Sequence, residues 1–198
     1  IAEDATYSAI LTSGAGADTI SITDRALVTG NVDLGDGTNL FTIDEDATYS
    51  ADLTSGVGAD TVSITDRATV IGSIDLGGGN DTLTIDADAN YDGTINAGAG
   101  ADDISFLSST TTLSGGVNLG DGTDSFTIDA ATYAGDVEAG AGTNTISIQN
   151  QATFSGTYTG GEDADTFVIS SDSESSGLLD LGNGENSVTV AGGNAATL

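Results

Sequence analysis

The 198-residue chain contains no cysteine, histidine, lysine, proline, methionine or tryptophan. Without cysteine there can be no disulfide and no thiolate metal site. Without histidine the chain lacks the commonest general base and the commonest ligand of transition metals. The absence of proline suits a chain made mostly of paired strands. No pair of carboxylates stands out as an acid and base for hydrolysis, so we expect the chain not to be an enzyme.

Basic side chains are also nearly absent. Arg25 and Arg67 stand against 31 acidic residues, which gives a formal net charge of −29. Such a surface repels the phosphates of nucleic acids and of anionic membranes, and it attracts divalent cations or basic partners. The sequence has no apolar run long enough to span a bilayer. We therefore expect no nucleic-acid partner and no direct insertion into a membrane.

The sequence does contain a repeat of about 21 residues, each copy opening with a glycine-containing turn. The first glycines of these turns are Gly14, Gly35, Gly56, Gly77, Gly98, Gly120, Gly140, Gly160 and Gly182, at intervals of 21, 21, 21, 21, 22, 20, 20 and 22 residues. A period in this range is typical of solenoids, propellers and arrays. We interpret residues 1–198 as a single repeat array. Because the first residues align with the middle of a later copy (43–55), we expect a segment of a longer repeat protein.

Apolar and polar residues alternate within each copy, in two runs separated by short polar or glycine-rich turns. In the copy that begins at Gly56, the apolar phase is Val62, Ile64, Ala68, Val70, Gly72, Ile74 and Leu76. This alternation indicates strands, whereas helical spacing fits nowhere. A small residue recurs in the second run, at Gly30, Ala51, Gly72, Gly93, Gly115, Gly135 and Gly156. It predicts a corner where a large side chain would clash across a narrow core. The pattern loosens after Ala152: we expect a polar loop at Ser170–Gly177, and residues 191–198 end the chain without an obvious cap.

The predicted fold class is all-β: a parallel β-helix (β-solenoid) with about 21 residues per coil, about nine coils and two or three strands per coil. At the usual strand spacing the rod is about 40 Å long. The handedness rule for parallel crossovers predicts a right-handed solenoid.

Two columns of residues indicate that the coils stack in register. Tyr7, Tyr49, Tyr91 and Tyr133 are 42 residues apart, and Val28, Val70, Leu113 and Phe154 fill the alternate levels. This alternation predicts large and smaller side chains interleaved in the core. A second column contains Arg25, Asp46, Arg67 and Asp88, whose opposite charges would lie about 5 Å apart in stacked strands. We expect such surface pairs to add well under ~1 kcal/mol each.

The opening turns share the pattern Gly-x-Gly-x-Asx-x-apolar, as in GVGADTV (56–62), with a divergent form, GGEDADTF, at 160–167. Its acid or amide position forms what we call the Asx column: Asp18, Asn39, Asp60, Asp81, Asp102, Asp124, Asn144, Asp165 and Asn186. Carboxylates stacked about 4.8 Å apart repel by about 1 kcal/mol per pair in water and by roughly 3 to 4 kcal/mol at an effective dielectric constant of about 20. Ca²⁺ accepts carboxylate and carbonyl oxygens and suits such a lining.

These turns resemble the hemolysin-type (RTX) calcium-binding repeat, G-G-x-G-x-D-x-U-x, which binds Ca²⁺ between stacked turns. The resemblance covers only the turn of each coil. The leading glycine is replaced by Ser13, Leu34, Ser55, Leu76, Ala97, Leu119 or Ala139, and the motif occurs once per copy instead of twice. Calcium-bearing β-helical adhesins with one such turn per longer coil are a nearer resemblance. The resemblance implies one row of Ca²⁺ along one edge, held by turn carbonyls and the Asx column.

The alternative for the Asx column is structural. Asx side chains satisfy turn amides without any metal, and an acidic, lysine-free surface is also expected of a protein from a halophilic source. Three asparagines interrupt the column and favour this alternative.

The function predicted from these patterns is a structural repeat segment of a secreted bacterial surface protein: an adhesin, S-layer protein or extracellular fibre at the cell surface. Its ends are strand edges, so we expect self-association or end-to-end contact with neighbouring repeats. The alternative is an ice- or carbohydrate-binding module. It would use the hydroxyl-rich outward phase of the first strand, formed by Thr19, Ser21, Thr23, Ser63, Thr65, Thr82 and Thr84, although Leu40, Leu107 and Val168 interrupt it.

Overall fold

The computed structural model describes residues 1–86, 88–107, 112–170 and 172–192. Their regular structure consists entirely of short strands, and all pairs of strands are parallel. The chain is an all-β parallel solenoid with about 21 residues per turn and about nine turns, which confirms the predicted fold class. Within the described residues there is no helix that could cross a membrane.

Each coil contributes three strands, one to each of three sides of the rod that we call the first, second and third faces. The first and third faces are each one nine-stranded parallel sheet, and the second consists of a five-stranded and a four-stranded parallel sheet joined by a bridge between Asp92 and Ser114. The first face contains β3 (Thr19–Ile22), β6 (Leu40–Ile43), β9 (Thr61–Ile64), β12 (Thr82–Ile85), β16 (Asp103–Leu107), β20 (Ser125–Asp129), β23 (Thr145–Gln149), β26 (Thr166–Ser170) and β29 (Ser187–Ala191). The second face contains β1 (Thr6–Tyr7), β4 (Leu27–Val28), β7 (Thr48–Ser50), β10 (Thr69–Ile71) and β13 (Asn90–Asp92), then β17 (Thr112–Leu113), β21 (Thr132–Tyr133), β24 (Thr153–Phe154) and β27 (Glu174–Ser175). The third face contains β2 (Leu11–Thr12), β5 (Val32–Asp33), β8 (Leu53–Thr54), β11 (Ile74–Asp75), β14 (Ile95–Asn96), β18 (Val117–Asn118), β22 (Val137–Glu138), β25 (Tyr158–Thr159) and β28 (Leu179–Asp180).

A short pair, β15 (Ala99–Gly100) and β19 (Asp121–Gly122), lies in the glycine turns that lead from the third face to the next first-face strand. The turn from the first to the second face often has two consecutive residues with positive φ, such as Asp66 (51°) and Arg67 (63°). Acidic residues are common there because Asp tolerates the left-handed conformation better than most side chains. The corner predicted within the second run of each copy separates the second face from the third.

The registers confirm the predicted core columns. Tyr49 pairs with Val28 on one side and Val70 on the other, and Val70 pairs in turn with Tyr91. Farther along, the rings of Phe106 and Tyr133 meet edge-on with their centroids 5.1 Å apart. The apolar phase of all three faces therefore forms one continuous core along the rod.

The corner residues are small because two kinds of neighbour approach them closely. A Cβ added to Gly93 would collide with the backbone carbonyl of Gly72 in the preceding coil, and it would lie 3.1 Å from the hydroxyl oxygen of the buried Tyr91. A larger side chain is therefore excluded by the neighbouring backbone, which was not predicted, as well as by a core side chain.

The predicted charge column forms one bidentate ion pair between two of its members and a second one with Asp4, which the column did not include. Arg25 binds Asp4 and Arg67 binds Asp46, each with its Nε 2.8 Å from a carboxylate oxygen of the preceding coil. Both pairs are exposed, and the guanidinium groups hold the pKa values of the two aspartates below their usual range.

The sequence also suggested a polar loop at Ser170–Gly177, and this prediction is wrong for part of the segment. Glu174–Ser175 is a strand that pairs with Thr153–Phe154, and Ser173 and Ser175 point into the core. Small hydroxyl side chains fit there although they break the apolar pattern. Ser171 lies outside the described residues. An uncapped end was predicted at 191–198; Ala191 and Gly192 are described, and 193–198 lie outside the described residues.

Candidate functional site

The glycine turns stack on one edge of the rod, between the third and first faces. Gly58 has a φ of 135°, and a Cβ at this position would collide with the carbonyl of Gly37 in the preceding turn. Glycine is therefore required both by backbone conformation and by the close approach of neighbouring turns. The turns are linked by backbone hydrogen bonds, such as Gly37 N–H to the Val57 carbonyl at 2.8 Å.

The Asx column forms an unbroken ladder of hydrogen bonds beside these turns. In each coil, the side-chain Oδ1 accepts a hydrogen bond from the backbone N–H of the Asx residue one coil earlier. The donor–acceptor pairs are Asp18–Asn39 (3.0 Å), Asn39–Asp60 (2.7 Å), Asp60–Asp81 (2.7 Å), Asp81–Asp102 (2.8 Å), Asp102–Asp124 (2.9 Å), Asp124–Asn144 (2.9 Å), Asn144–Asp165 (2.9 Å) and Asp165–Asn186 (2.7 Å). The structure thus brings all nine predicted residues together in one row.

The seven residues from Asn39 to Asp165 in this column are at most 2% exposed. Burial makes the second polar atom of each side chain important, because an unpartnered buried polar atom costs about 1–3 kcal/mol. We call each Asx residue of the ladder a rung and compare the rungs by this second atom.

At the asparagine rungs, the second atom has partners within its own turn. The Nδ2 of Asn144 donates to the carbonyls of Ala139 and Gly142, both at 3.2 Å. Asn186 donates to Leu181 and Asn183 at 2.9 and 2.7 Å, and Asn39 makes longer contacts, 3.4 Å, with Gly35 and Gly37. The amide therefore satisfies carbonyl oxygens that line the inside of the turn.

At five aspartate rungs, the second oxygen has no such partner. The Oδ2 atoms of Asp18, Asp60, Asp81, Asp102 and Asp124 are buried and accept no hydrogen bond. Since Oδ1 makes the same ladder contact at both kinds of rung, Oδ2 lies on the side where asparagine places its Nδ2. A proton or a cation bound to this oxygen would supply the partner that it lacks.

Burial also shifts the acidity of these rungs. It raises the pKa of Asp81 and of Asp124 to about 6, against the opposing effect of the hydrogen bond from the preceding backbone N–H. Burial raises the pKa of Asp102 as well. The cause is the loss of solvation of the charged form, and the neighbouring carboxylates add to it at Asp81 and Asp124.

Asp165 is an exception that sequence reasoning missed. Its Oδ2 accepts a hydrogen bond from the hydroxyl of Tyr158, at 3.0 Å, inside the core. A signal was present in the sequence, because Tyr158 occupies a third-face position that holds Val, Leu or Ile in the other described coils. The turn of this coil is also the divergent one.

The donor set fits a hard cation of the Ca²⁺ type. No three acidic side chains among the described residues converge on one point. A cation at an aspartate rung would therefore take Oδ2 and complete its shell with turn carbonyls and water, which are ligands that Ca²⁺ accepts. The orphaned Oδ2 atoms are the observation that supports this fit.

A second surface of interest is the outward side of the first face. One column of this sheet contains Ser21, Thr42, Ser63, Thr84, Ser105, Thr127, Ser147, Val168 and Thr189, paired in register from coil to coil. Only Val168 lacks a hydroxyl. Four of the predicted outward residues lie in the adjacent column or beyond the strand ends, and Leu40 interrupts the adjacent column as predicted.

The third face has a shallow recess of about 410 Å³. It lies where Gly116 lacks the side chain that Thr94 and Asp136 have in the neighbouring coils, and Asn118 and Glu138 line its side. A Cβ on Gly116 would meet only the carbonyl oxygen of Asp136, at 3.9 Å. Its lining has no cationic group, so the recess suits neutral or cationic ligands and disfavours anions.

The chain was compared with protein-family models, curated proteins and solved structures, and it matches none of them.

Proposed function

We propose that this chain is a structural repeat segment of a secreted bacterial surface protein, such as an adhesin, S-layer protein or extracellular fibre, stabilised by Ca²⁺ at its glycine turns. The observation that supports it is the row of buried carboxylate oxygens without partners, in the ladder that runs beside the glycine turns. A cation in this row would cross-link successive coils. The folded solenoid would then be fully stable only where Ca²⁺ is plentiful, as it is outside cells.

The protein's own cations do not compensate this row. Its two arginines are engaged in exposed ion pairs at the turns between the first and second faces, with Asp4 and Asp46. The net charge of −29 therefore leaves external cations as the source of neutralisation.

The proposed partners are further repeats, stacked end to end. Among the described residues, β29 pairs with β26 only, and its inward-phase residues Val188 and Val190 remain 38% and 37% exposed. An open strand edge beside apolar side chains suits another coil of the same kind, from a second copy or from adjoining repeats.

The test is thermal unfolding followed by far-UV circular dichroism, first in EGTA and then in millimolar Ca²⁺, with Mg²⁺ and NaCl as controls. We expect a β-type spectrum and a midpoint that rises with Ca²⁺ far more than with either control, because a ligand bound only by the folded state raises its stability. Equal stability in EGTA, or an equal response to NaCl, would contradict the calcium proposal and favour plain Asx turns.

The second candidate function is an ice- or carbohydrate-binding surface, favoured by the near-continuous hydroxyl column of the first face. Its spacing of about 4.8 Å along the rod would present a regular array to ordered water or to sugar hydroxyls. The test measures ice shaping and glycan binding of the intact chain and of a double variant, Thr84→Lys with Thr127→Lys. Ice or glycan binding that the variant loses supports this candidate, and its absence from the intact chain contradicts it.

A separate variant, Gly116→Thr, adds a side chain in the third-face recess and tests whether a sugar binds there.

A further inference from the structure

The rungs of the ladder are not equivalent, and the difference determines where ions can bind. Five aspartates have an orphaned Oδ2, three asparagines fill the same position with Nδ2, and Asp165 is satisfied by a tyrosine hydroxyl. We propose that Ca²⁺ binds only at the five orphaned rungs, Asp18, Asp60, Asp81, Asp102 and Asp124, and that the other four rungs are closed by the protein itself. This inference rests on the proposed calcium function and narrows it.

The asparagine rungs cannot offer a side-chain oxygen to an ion, because flipping the amide would break its hydrogen bonds. To offer an oxygen to an ion inside the turn, Asn144 would have to exchange the places of its Oδ1 and Nδ2. Its Nδ2 would then face the backbone N–H of Asp124, which now donates to Oδ1 at 2.9 Å. Two donors would face each other in a site that is fully buried, and the two carbonyl contacts of Nδ2 would be lost as well.

The Asp165 rung is closed by a different group. Tyr158 is fully buried and its hydroxyl donates to Oδ2. Burial, with the nearby Asp165 carboxylate adding to it, raises the pKa of this hydroxyl strongly, so it remains a donor at any physiological pH. The hydroxyl proton of Tyr158 gives Oδ2 of Asp165 the partner that a cation would give to Oδ2 at an orphaned rung.

The closed rungs also set the limits of the ion row. Asp60, Asp81, Asp102 and Asp124 are consecutive, and Asn39 and Asn144 bound them on either side. We call these four aspartates the central block. Within the block each carboxylate lies about one coil spacing from another carboxylate. A divalent ion there would reduce the repulsion between them and would also give the unpartnered Oδ2 atoms a ligand.

The test is a calorimetric Ca²⁺ titration of the intact chain at about 0.15 M NaCl, where loosely held counter-ions are screened. We expect no more than five equivalents. Asp81→Asn should remove one equivalent, whereas Asn39→Asp and Tyr158→Phe should each add one, because each opens a closed rung. Asp92→Asn, which makes the same chemical change on the exposed side of the second face, should leave the number unchanged. Each variant is checked for the β-type spectrum in Ca²⁺, and Tyr158→Phe serves if Asn39→Asp does not fold.

Three outcomes are informative. Five or fewer equivalents with the expected gains and losses support the inference. About nine equivalents, or variants that leave the number unchanged, overturn it while leaving calcium binding intact. The absence of any Ca²⁺ binding overturns the proposed calcium function itself, and the inference with it.

Discussion

Two neighbouring rungs, Asn39 and Asp60, are both about 2% exposed or less and make the same ladder contact. They differ in one atom. In Asn39 that atom is an N–H group that donates to turn carbonyls, and in Asp60 it is an oxygen without a partner. The solenoid therefore contains both rungs whose side-chain atoms are all hydrogen-bonded and rungs whose second oxygen has no partner. We expect the second kind to contribute most to any dependence of stability on pH and cations.

The largest effect on stability is expected when all four aspartates of the central block are replaced by asparagine, which removes the difference between the two kinds of rung. The fourfold Asp→Asn variant removes four buried charges that repel by about 1 to 4 kcal/mol per neighbouring pair, and supplies four donors to the turn carbonyls. We expect the variant to be more stable than the natural chain by several kcal/mol in EGTA, and to gain little from Ca²⁺. Thermal unfolding with and without Ca²⁺ measures both effects. A variant that melts lower in EGTA would show that the carboxylates stabilise the fold without a cation.

The reverse change at one rung should produce a smaller effect of opposite sign. Asn144→Asp replaces a satisfied amide with a carboxylate between Asp124 and Asp165, so we expect a loss of about 1–3 kcal/mol in EGTA from an unpartnered buried oxygen. Ca²⁺ should recover most of this loss. Asn118→Asp, on the exposed side of the third face, is the matched control for the added charge. Denaturant unfolding in the two buffers gives the comparison, and a loss that Ca²⁺ fails to reduce would contradict a cation at this rung.

The sequence predicted the fold and its register almost completely, because period and alternation depend only on which residue types recur. It placed Tyr49 against Val70 and all nine Asx residues in one row. It did not predict which rungs have unpartnered atoms, because that depends on the direction of hydrogen bonds between coils. The partner of Asp165 is Tyr158, which lies on the third face. The turn motif does not include this residue, so the motif could not predict the contact. Ser173 and Ser175 were misassigned because their burial follows from their small size and not from hydrophobicity.

In buffer without divalent cations, the stability of the fold should also depend on pH, because aspartate rungs titrate and asparagine rungs do not. The pKa values of Asp81 and Asp124 are about 6 in the folded chain, above the ordinary aspartate value of 3.8. A raised pKa means that the folded state binds protons more tightly. The resulting stability is complete below pH 4 and is lost as the pH rises through 6. We expect the melting midpoint to be a few degrees higher at pH 5 than at pH 7.

Measurement at pH 5 keeps the protein above its isoelectric point of about 4.1 and leaves ordinary carboxylates largely ionised. The fourfold Asp→Asn variant is the control, since it lacks these titrating groups and should show a much weaker dependence. Saturating Ca²⁺ should reduce the pH effect in the natural chain, because proton and cation compete for Oδ2. A natural chain that is less stable at pH 5 than at pH 7 would contradict the raised pKa values.

The smallest effect is expected at the arginines. Arg67→Gln removes one of only two basic side chains and breaks its bidentate pair with Asp46, at the turn between the first and second faces. Because both partners are largely exposed, we expect a change in unfolding free energy below ~1 kcal/mol, which fades with added NaCl. The Ca²⁺-induced rise in melting midpoint should be the same as in the natural chain. If Arg67→Gln instead lowered stability by several kcal/mol, or altered the response to Ca²⁺, the arginines would be neutralising the turn carboxylates at a distance. The difference between asparagine and aspartate rungs would then no longer require a bound cation.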